Sequence, residues 1–148
     1  VTVQRARPLL ERQVLAVDVE PGLPLVQMDY VLIEQVLINL LHNAAVYTPP
    51  GTHVQLGARQ DGAWLALIVA DRGPGLPADA LERIFDKFYR VPGAAAGGTG
   101  LGLSIARGIV EAHGGTLVAE NQPEGGACFT LRLPMTPPPP LPVEVNDV

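Results

Sequence analysis

Cysteine, aromatic residues and long apolar runs are all scarce in this sequence. Cys128 is the one cysteine among 148 residues, so no internal disulfide can form, which is typical of a reducing compartment. It lies in an alternating run, and we expect it to pack as a small hydrophobic residue rather than act as a nucleophile. No apolar stretch reaches the ~18 residues of a membrane-spanning helix, and no signal peptide is found. The sequence therefore indicates neither a disulfide-rich secreted domain nor a membrane span.

Basic residues are also few, and they are scattered. Ten Lys and Arg against fifteen Asp and Glu give a net charge of −5, which argues against nucleic acid or an anionic membrane as the main partner. A hydrophobic content of 47% in a chain of this length is typical of one globular domain with its own core. The chain begins at Val1 inside a helix-forming segment, which suggests a piece of something longer.

Hydrophobic periodicity predicts a mixture of helices and strands. Alternation predicts strands over residues 14–19, 25–28, 52–59, 63–70, 116–120 and 128–133. Helical spacing predicts helices over residues 4–12, 30–46 and 79–85, and another that follows a glycine-rich stretch and stops at Gly114. Asp29 is the expected N-cap of the longest helix. We expect one domain over residues 1–134 and a disordered proline-rich tail over residues 135–148.

Three polar or glycine-rich features stand out against this background. Asn39 and Asn43 lie four residues apart on one face of a helix that is otherwise apolar. They are either solvated polar residues or a pair of amides held for a polar ligand, because buried amides need partners. Asp71, Gly73 and Gly75 follow a strongly apolar strand. They form either a simple tight turn or a carboxylate at a pocket mouth with backbone able to approach a ligand.

The third feature is a concentration of glycine before a helix. Four glycines occupy the six positions 97–102. They are either a flexible loop or a site where bare N–H groups and the helix dipole meet an anion. Residues 89–99, lean in anchoring side chains, are expected to form a lid, with residues 91–96 poorly ordered without nucleotide. Phe85 and Phe88, between these features, are expected to act through packing.

Taken in order, these features resemble the ATP-binding catalytic domain of sensor histidine kinases, which shares its nucleotide fold with gyrase, Hsp90 and MutL. The matching motifs are N-L-L-H-N-A-A-V-Y-T-P, D-R-G-P-G, I-F-D-K-F-Y-R and G-T-G-L-G-L, and the resemblance covers roughly residues 5–134. The later motifs, with P-E-G-G-A-C-F, are similar to the potassium-responsive KdpD branch. The resemblance implies an α/β two-layer sandwich, in which three helices cover one face of a mixed, mostly antiparallel sheet.

The resemblance also implies roles for individual residues. Asp71 would accept a hydrogen bond from the adenine amino group, and Gly73 and Gly75 would let the chain pass the base. Asn43 would be the side-chain ligand of Mg²⁺, and Asn39 would contact phosphate or the water shell of the metal; these two are the catalytic candidates. The other nucleotide contacts would come from Tyr47 in the pocket and from the lid and phosphate cradle: Gly98, Thr99, Gly100, Leu101, Gly102 and Leu103.

One position departs from the family pattern. Val46 stands where histidine kinases usually carry Lys or Arg, and the loss of that cation removes a charge-assisted contact worth ~1.5–3 kcal/mol. Lys87 or Arg90 is the expected replacement. Hydrolytic members of the superfamily place a glutamate where this chain has Asn39, whose amide cannot act as a general base. This favours phosphoryl transfer over ATP hydrolysis.

The function that the resemblance implies is that of a protein-histidine kinase. ATP and Mg²⁺ would be the cofactors, and the acceptor histidine would lie in a separate dimerisation domain that passes phosphate to a response regulator. The domain would face the cytoplasm, in a membrane-anchored bacterial sensor. Two alternatives stay open: a nucleotide-binding module with weakened catalysis, which Val46 favours, and a gyrase-like ATPase.

Overall fold

The computed structural model describes residue 4 and residues 7–24, 26–89 and 102–135. A short 3-10 helix comes before the first strand. The elements in chain order are the 3-10 helix Arg7–Leu10, β1 Val14–Val19, α1 Tyr30–Tyr47, β2 His53–Asp61, β3 Trp64–Asp71, α2 Ala80–Arg83, α3 Gly102–Ala112, β4 Thr116–Asn121 and β5 Ala127–Pro134.

The strands form a single five-stranded sheet in the order β1-β2-β3-β5-β4. β1 pairs with β2 in parallel, and each of the other pairs is antiparallel. β2 and β3 meet through a two-residue turn in which Gly62 has a φ of 62°, as the sequence indicates for a hairpin. The expectation of a mixed, mostly antiparallel sheet is confirmed.

The helices lie on one face of this sheet, because alternate strand residues supply an apolar surface there. Alternate residues of β5 are buried along its whole length. These residues join one core cluster with the buried stripe of α1, whereas their neighbours on the opposite face stay outside it. The cluster includes the following residues of the helices and of the facing strands: Ile33, Val36, Leu40, Leu41, Val54, Val69, Ala106, Val110, Leu117, Phe129 and Leu131.

The start of α1 is tied to the end of α3. The Leu32 N–H donates to Asp29 Oδ1 at 3.1 Å, which confirms Asp29 as the N-cap. The Asp29 N–H in turn donates to His113 Nε2 at 3.2 Å, so the other ring nitrogen, Nδ1, carries the proton and donates to the Ile109 carbonyl at 2.8 Å. These bonds hold together the two helices that carry most of the candidate site.

Two local expectations are wrong, and a third is confirmed only in part. Residues 26–28 belong to no strand, although Val26 is buried, because the segment packs on the core without pairing. The helix predicted over residues 4–12, interrupted or started by Pro8, is confirmed in part: Gln4 is helical, and a 3-10 helix spans Arg7–Leu10. Phe88 is 67% exposed rather than packed, with a φ of 64°.

Cys128 is half-buried on β5, and its Sγ lies 3.7 Å from Thr130 Oγ1. Burial raises the pKa of this thiol, which lowers the thiolate fraction at neutral pH. The surroundings therefore support the expectation that it is not a nucleophile. Within the described ranges, no helix combines the length and apolar character needed to cross a membrane.

Candidate functional site

Asp71 is a carboxylate held in place at the end of β3. The residue is 7% exposed, and its Oδ1 accepts from the Gly73 N–H at 2.9 Å and from the Ala127 N–H at 3.3 Å. A buried carboxylate needs such donors, because the cost of removing it from water is otherwise large. Two main-chain donors on one oxygen fix the direction in which the other oxygen, Oδ2, points.

Gly73 brings the loop after β3 against the end of α1. A Cβ at Gly73 would lie 2.7 Å from Thr48 Cγ2, a separation that packed atoms do not adopt. Thr48 is buried, and its hydroxyl donates to the Ala44 carbonyl at 2.6 Å. The close approach of loop and helix therefore requires glycine at this position.

Four residues of the β4–β5 region hold the same loop from its other side, and the sequence analysis missed all of them. Asn121 bonds the backbone of Leu76, and Gln122 Nε2 donates to the Asp71 carbonyl at 2.8 Å. The third is Ala127, through its N–H to Asp71. The fourth is Gly126, where any Cβ would overlap the Asp71 carbonyl oxygen. The sequence of residues 121–126 predicts only a turn. No local pattern indicates that the four residues contact the loop after β3, from which they are separated by 45 to 56 residues.

Asn39 and Asn43 differ in how the structure uses them. Both are half-buried on α1, but Asn39 is engaged: it accepts from Gln35 and donates to the Gly102 carbonyl at 3.2 Å. The side-chain amide of Asn43 makes no hydrogen bond to another residue of the described ranges. A half-buried amide that no described residue engages has the properties expected of a ligand-binding group.

The contacts of α1 set the length of the site. Gly102 meets the helix at Asn39, and Gly73 meets it at Thr48. A rise of 1.5 Å per residue places these contacts ~14 Å apart along the axis, with Asn43 ~6 Å from the first and ~7.5 Å from the second. The half-buried Tyr47 lies next to Thr48, at the Asp71 end. Asn43 therefore lies between the two contacts, and we refer to the surface of α1 from Asn39 to Thr48 as the groove.

The part of the chain that the structure describes offers no carboxylate cluster that could by itself hold a metal ion in this groove. The described residues contain no group of three or more His, Cys, Asp or Glu side chains arranged to hold a metal. Mg²⁺ takes oxygen ligands and keeps several waters, so one amide oxygen together with ligand phosphates is a sufficient donor set. The open amide of Asn43 fits that requirement.

The segment between the two loops is held by aromatic packing. Phe85 is buried and meets Phe129 edge-on, with ring centroids 6.2 Å apart. The Arg107 guanidinium of α3 lies 4.8 Å from the Phe85 ring centroid, a cation–π geometry. Phe85 thus anchors this segment to the sheet and to α3, as its packing role predicts. Lys87 is exposed and forms no ion pair with another described residue.

The glycine-rich stretch is described only at its end. Gly102 is the first residue of α3, and the half-buried Leu103 packs against the core. The remaining candidates of the lid and cradle lie outside the described residues: Arg90, Gly98, Thr99, Gly100 and Leu101.

Sequence comparison agrees with this geometry. A family model described as "Histidine kinase-, DNA gyrase B-, and HSP90-like ATPase" matches residues 28–137. The chain is 48% identical over 120 residues to the sensor protein KdpD of Escherichia coli, which covers 80% of this chain and 13% of KdpD. It is 42% identical over 121 residues to the adaptive-response sensory kinase SasA of Synechococcus, which covers 80% of this chain and 32% of SasA. The chain thus spans less than a third of either relative.

Solved structures give the same answer. A mycobacterial sensor histidine kinase, MprB, matches with a TM-score of 0.82 and 30% identity, covering 92% of each chain. The nucleotide-free catalytic domain of the histidine kinase ThkA matches with a TM-score of 0.77 and 29% identity, covering 92% of this chain and 93% of that one. The chain belongs to the family of histidine kinase-, DNA gyrase B- and HSP90-like ATPases. Within it, the solved relatives identify the chain as an ATP-binding catalytic domain of the histidine-kinase type.

Proposed function

We propose that the chain binds Mg-ATP along the groove of α1, with adenine at Asp71 and the phosphates towards Gly102. The observation that carries this proposal is the buried carboxylate of Asp71. Two main-chain N–H groups hold Oδ1, and no donor from the described residues occupies Oδ2. The adenine amino group is a donor that suits this oxygen, whereas guanine presents a carbonyl at the same ring position.

The metal and the phosphates belong at the other end of this arrangement. Asn43 would supply an amide oxygen to Mg²⁺, and the ion would neutralise charge on the phosphates and orient them. Asn39, with its amide bonded to Gly102, would hold the start of α3 beside the phosphates or the water shell of the metal. Tyr47 would line the pocket near the base. The lid and cradle candidates outside the described residues would complete the phosphate contacts.

The reaction that suits these groups is transfer of the γ-phosphate to a histidine of a separate dimerisation domain, with relay to a response regulator. Asn39 occupies the position where a hydrolytic relative carries a glutamate, and its amide cannot remove a proton from water. Transfer to a presented side chain depends instead on positioning and charge neutralisation, which the groove provides. The histidine kinase ShkA, 32% identical, has been solved in complex with AMPPNP, an ATP analogue.

We further propose that the intact protein is a KdpD-like sensor of potassium or osmotic state, with this domain on the cytoplasmic side of the membrane. The 48% identity to the KdpD of Escherichia coli supports this branch, whereas the KdpD of Clostridium acetobutylicum, at 37%, is no more similar than SasA at 42%. A chimera tests it: the chain replaces the catalytic domain of KdpD in one fusion and of SasA in another. We expect faster phosphorylation of the cognate regulator by the KdpD fusion, and equal or reversed rates would contradict the branch.

Calorimetry with Mg-ATP tests the nucleotide site itself. Asp71→Asn keeps an oxygen for the two N–H groups but turns an amide donor towards the adenine amino group. We expect binding to weaken by about tenfold to a hundredfold, the range for a hydrogen bond to a charged group. Asp18→Asn on the exposed edge strand makes the same charge change away from the groove and should have no effect. Unchanged affinity in Asp71→Asn would remove the adenine assignment.

A further inference from the structure

The side chain of Asn121 bonds both main-chain polar groups of one residue, Leu76. The Leu76 N–H donates to Oδ1 at 2.8 Å, and Nδ2 donates to the Leu76 carbonyl at 2.7 Å. This reciprocal pair copies the pairing of two opposed strand residues, with a side-chain amide in place of one peptide. Asn121 therefore fixes the orientation of the Leu76 backbone and not only its position.

Leu76 closes the loop that begins at Asp71. The start of the loop is held by the residue that follows Asn121: Gln122 Nε2 donates a hydrogen bond to the Asp71 carbonyl at 2.8 Å. Gly75, with a φ of 78°, lies so close to Asn121 that a Cβ would come 2.9 Å from its Oδ1. Both ends of the loop are thus held by consecutive residues at the end of β4.

Asn121 is not required to attach this loop to the rest of the domain. The Leu76 side chain is 9% exposed and belongs to the core cluster, so burial alone anchors this end. The amide adds a fixed rotation of the backbone. That rotation bears on the site because the Gly73 N–H, in the middle of the loop, is one of the two donors that orient the Asp71 carboxylate.

We propose that Asn121 is a positioning residue that sets the preference of the pocket for adenine; this inference rests on the adenine site proposed at Asp71. Asn121 does not touch the base in this mechanism. It holds the loop so that Asp71 Oδ2 faces the adenine amino group. Its loss would affect the contact with that amino group more than the contacts with ribose and phosphates.

Two nucleotides separate this role from a structural one. ATP and purine riboside triphosphate differ only in the 6-amino group, so their affinity ratio measures the contact at Asp71. In Asn121→Ala we expect ATP to bind about tenfold more weakly and the purine analogue to weaken by less than about threefold. Val118→Ala, on the same strand but facing the other side of the sheet, is the control for lost stability and should leave the ratio unchanged.

Each outcome decides the question. Equal weakening of both nucleotides, or an unchanged ratio at lower thermal stability, would make Asn121 a structural residue and overturn the inference. A wild-type chain that does not prefer ATP to the analogue would refute the adenine site itself, and with it this role. Should Asn121→Ala not fold, Gln122→Ala removes the bond at the other end of the loop and must lower the ratio in the same direction.

Discussion

The side-chain nitrogen of Asn39 donates to the main-chain carbonyl oxygen of Gly102, at 3.2 Å, and so joins α1 to the first residue of α3. The oxygen of the same amide accepts from Gln35 Nε2 at 2.8 Å. These partners fix which way the amide faces. Asn39 therefore connects α1 to the helix that follows the glycine-rich stretch, and the proposed phosphate end of the groove depends on this bond.

Replacing Asn39 by Asp removes this donor and places a negative charge near the proposed phosphates. We expect the affinity for Mg-ATP to fall about tenfold or more, because a charge-assisted contact becomes a repulsion. The affinity for adenosine, which has no phosphate, should change by less than about twofold. Calorimetric titration with both ligands measures the difference.

His42 provides the control for this charge change. It lies on the same helix and is exposed. His42→Asp adds a similar charge outside the groove, where solvent and salt screen it. We expect little change in either affinity. A loss of adenosine binding in Asn39→Asp as large as the loss of ATP binding would contradict a role at the phosphate end.

Substitution of Gly126 measures how closely the turn after β4 packs against Asp71. A Cβ at Gly126 would overlap the Asp71 carbonyl oxygen, and the residue has a φ of 96°. Gly125 next to it has a φ of 106°, but a Cβ there meets nothing within 4 Å. Gly125→Ala therefore carries only backbone strain, ~1–2 kcal/mol, whereas Gly126→Ala adds overpacking of a further ~1–3 kcal/mol.

Urea denaturation of the two alanine variants measures this difference in the free energy of unfolding. We also expect Gly126→Ala to weaken ATP binding, because the new Cβ must push the Asp71 main chain away. Gly125→Ala should leave ATP binding intact. Equal destabilisation of the two variants would show that the turn can move away from Asp71 at little cost.

The sequence predicted the parts of the fold that depend on local pattern. The stripe of α1, the cap at Asp29 and the alternation of β5 each follow from the spacing of apolar and polar residues, and each is confirmed. Residues 26–28 show the limit of this method. An extended buried segment and a paired strand have the same alternation, and only the availability of a partner strand distinguishes them.

The candidate site shows the same division. Asp71 and Gly73 were predicted because unusual residues follow an apolar strand, and the family resemblance gave them roles that stay predictions. Asn121 and Gln122 were not predicted as site residues, because the sequence does not distinguish a turn residue that holds a distant loop from any other turn residue. Their partners are 45 and 51 residues away, and only the pairing of β5 with both β3 and β4 brings the ends of β3 and β4 together.

Val46 is the position where the chain departs from its family, and it supports the alternative of weakened catalysis. Val46 is half-buried on the last turn of α1. Val46→Lys would restore a cation beside the phosphates, and we expect Mg-ATP to bind about tenfold to a hundredfold more tightly, with adenosine unchanged. Calorimetry with both ligands checks this.

Val31→Lys is the matched control for Val46→Lys. It adds the same charge to the same helix at a side chain that is 77% exposed, far from the groove. We expect no change in ATP affinity from it. An equal gain for adenosine in Val46→Lys would attribute the effect to helix stability rather than to phosphate contact.

The three histidines of the chain are unsuited to accept phosphate, so the chain should bind ATP without labelling itself. His42 and His53 are exposed but lie in the asparagine motif and at the first residue of β2, and both ring nitrogens of His113 are bonded. Incubation with γ-labelled ATP should leave the isolated chain without acid-labile label. A histidine-bearing dimerisation domain added separately should become labelled, and at ATP concentrations below the wild-type Kd, Asp71→Asn should slow that transfer about tenfold or more. Acid-labile label on the isolated chain would identify an acceptor within it and overturn the division into donor and acceptor domains.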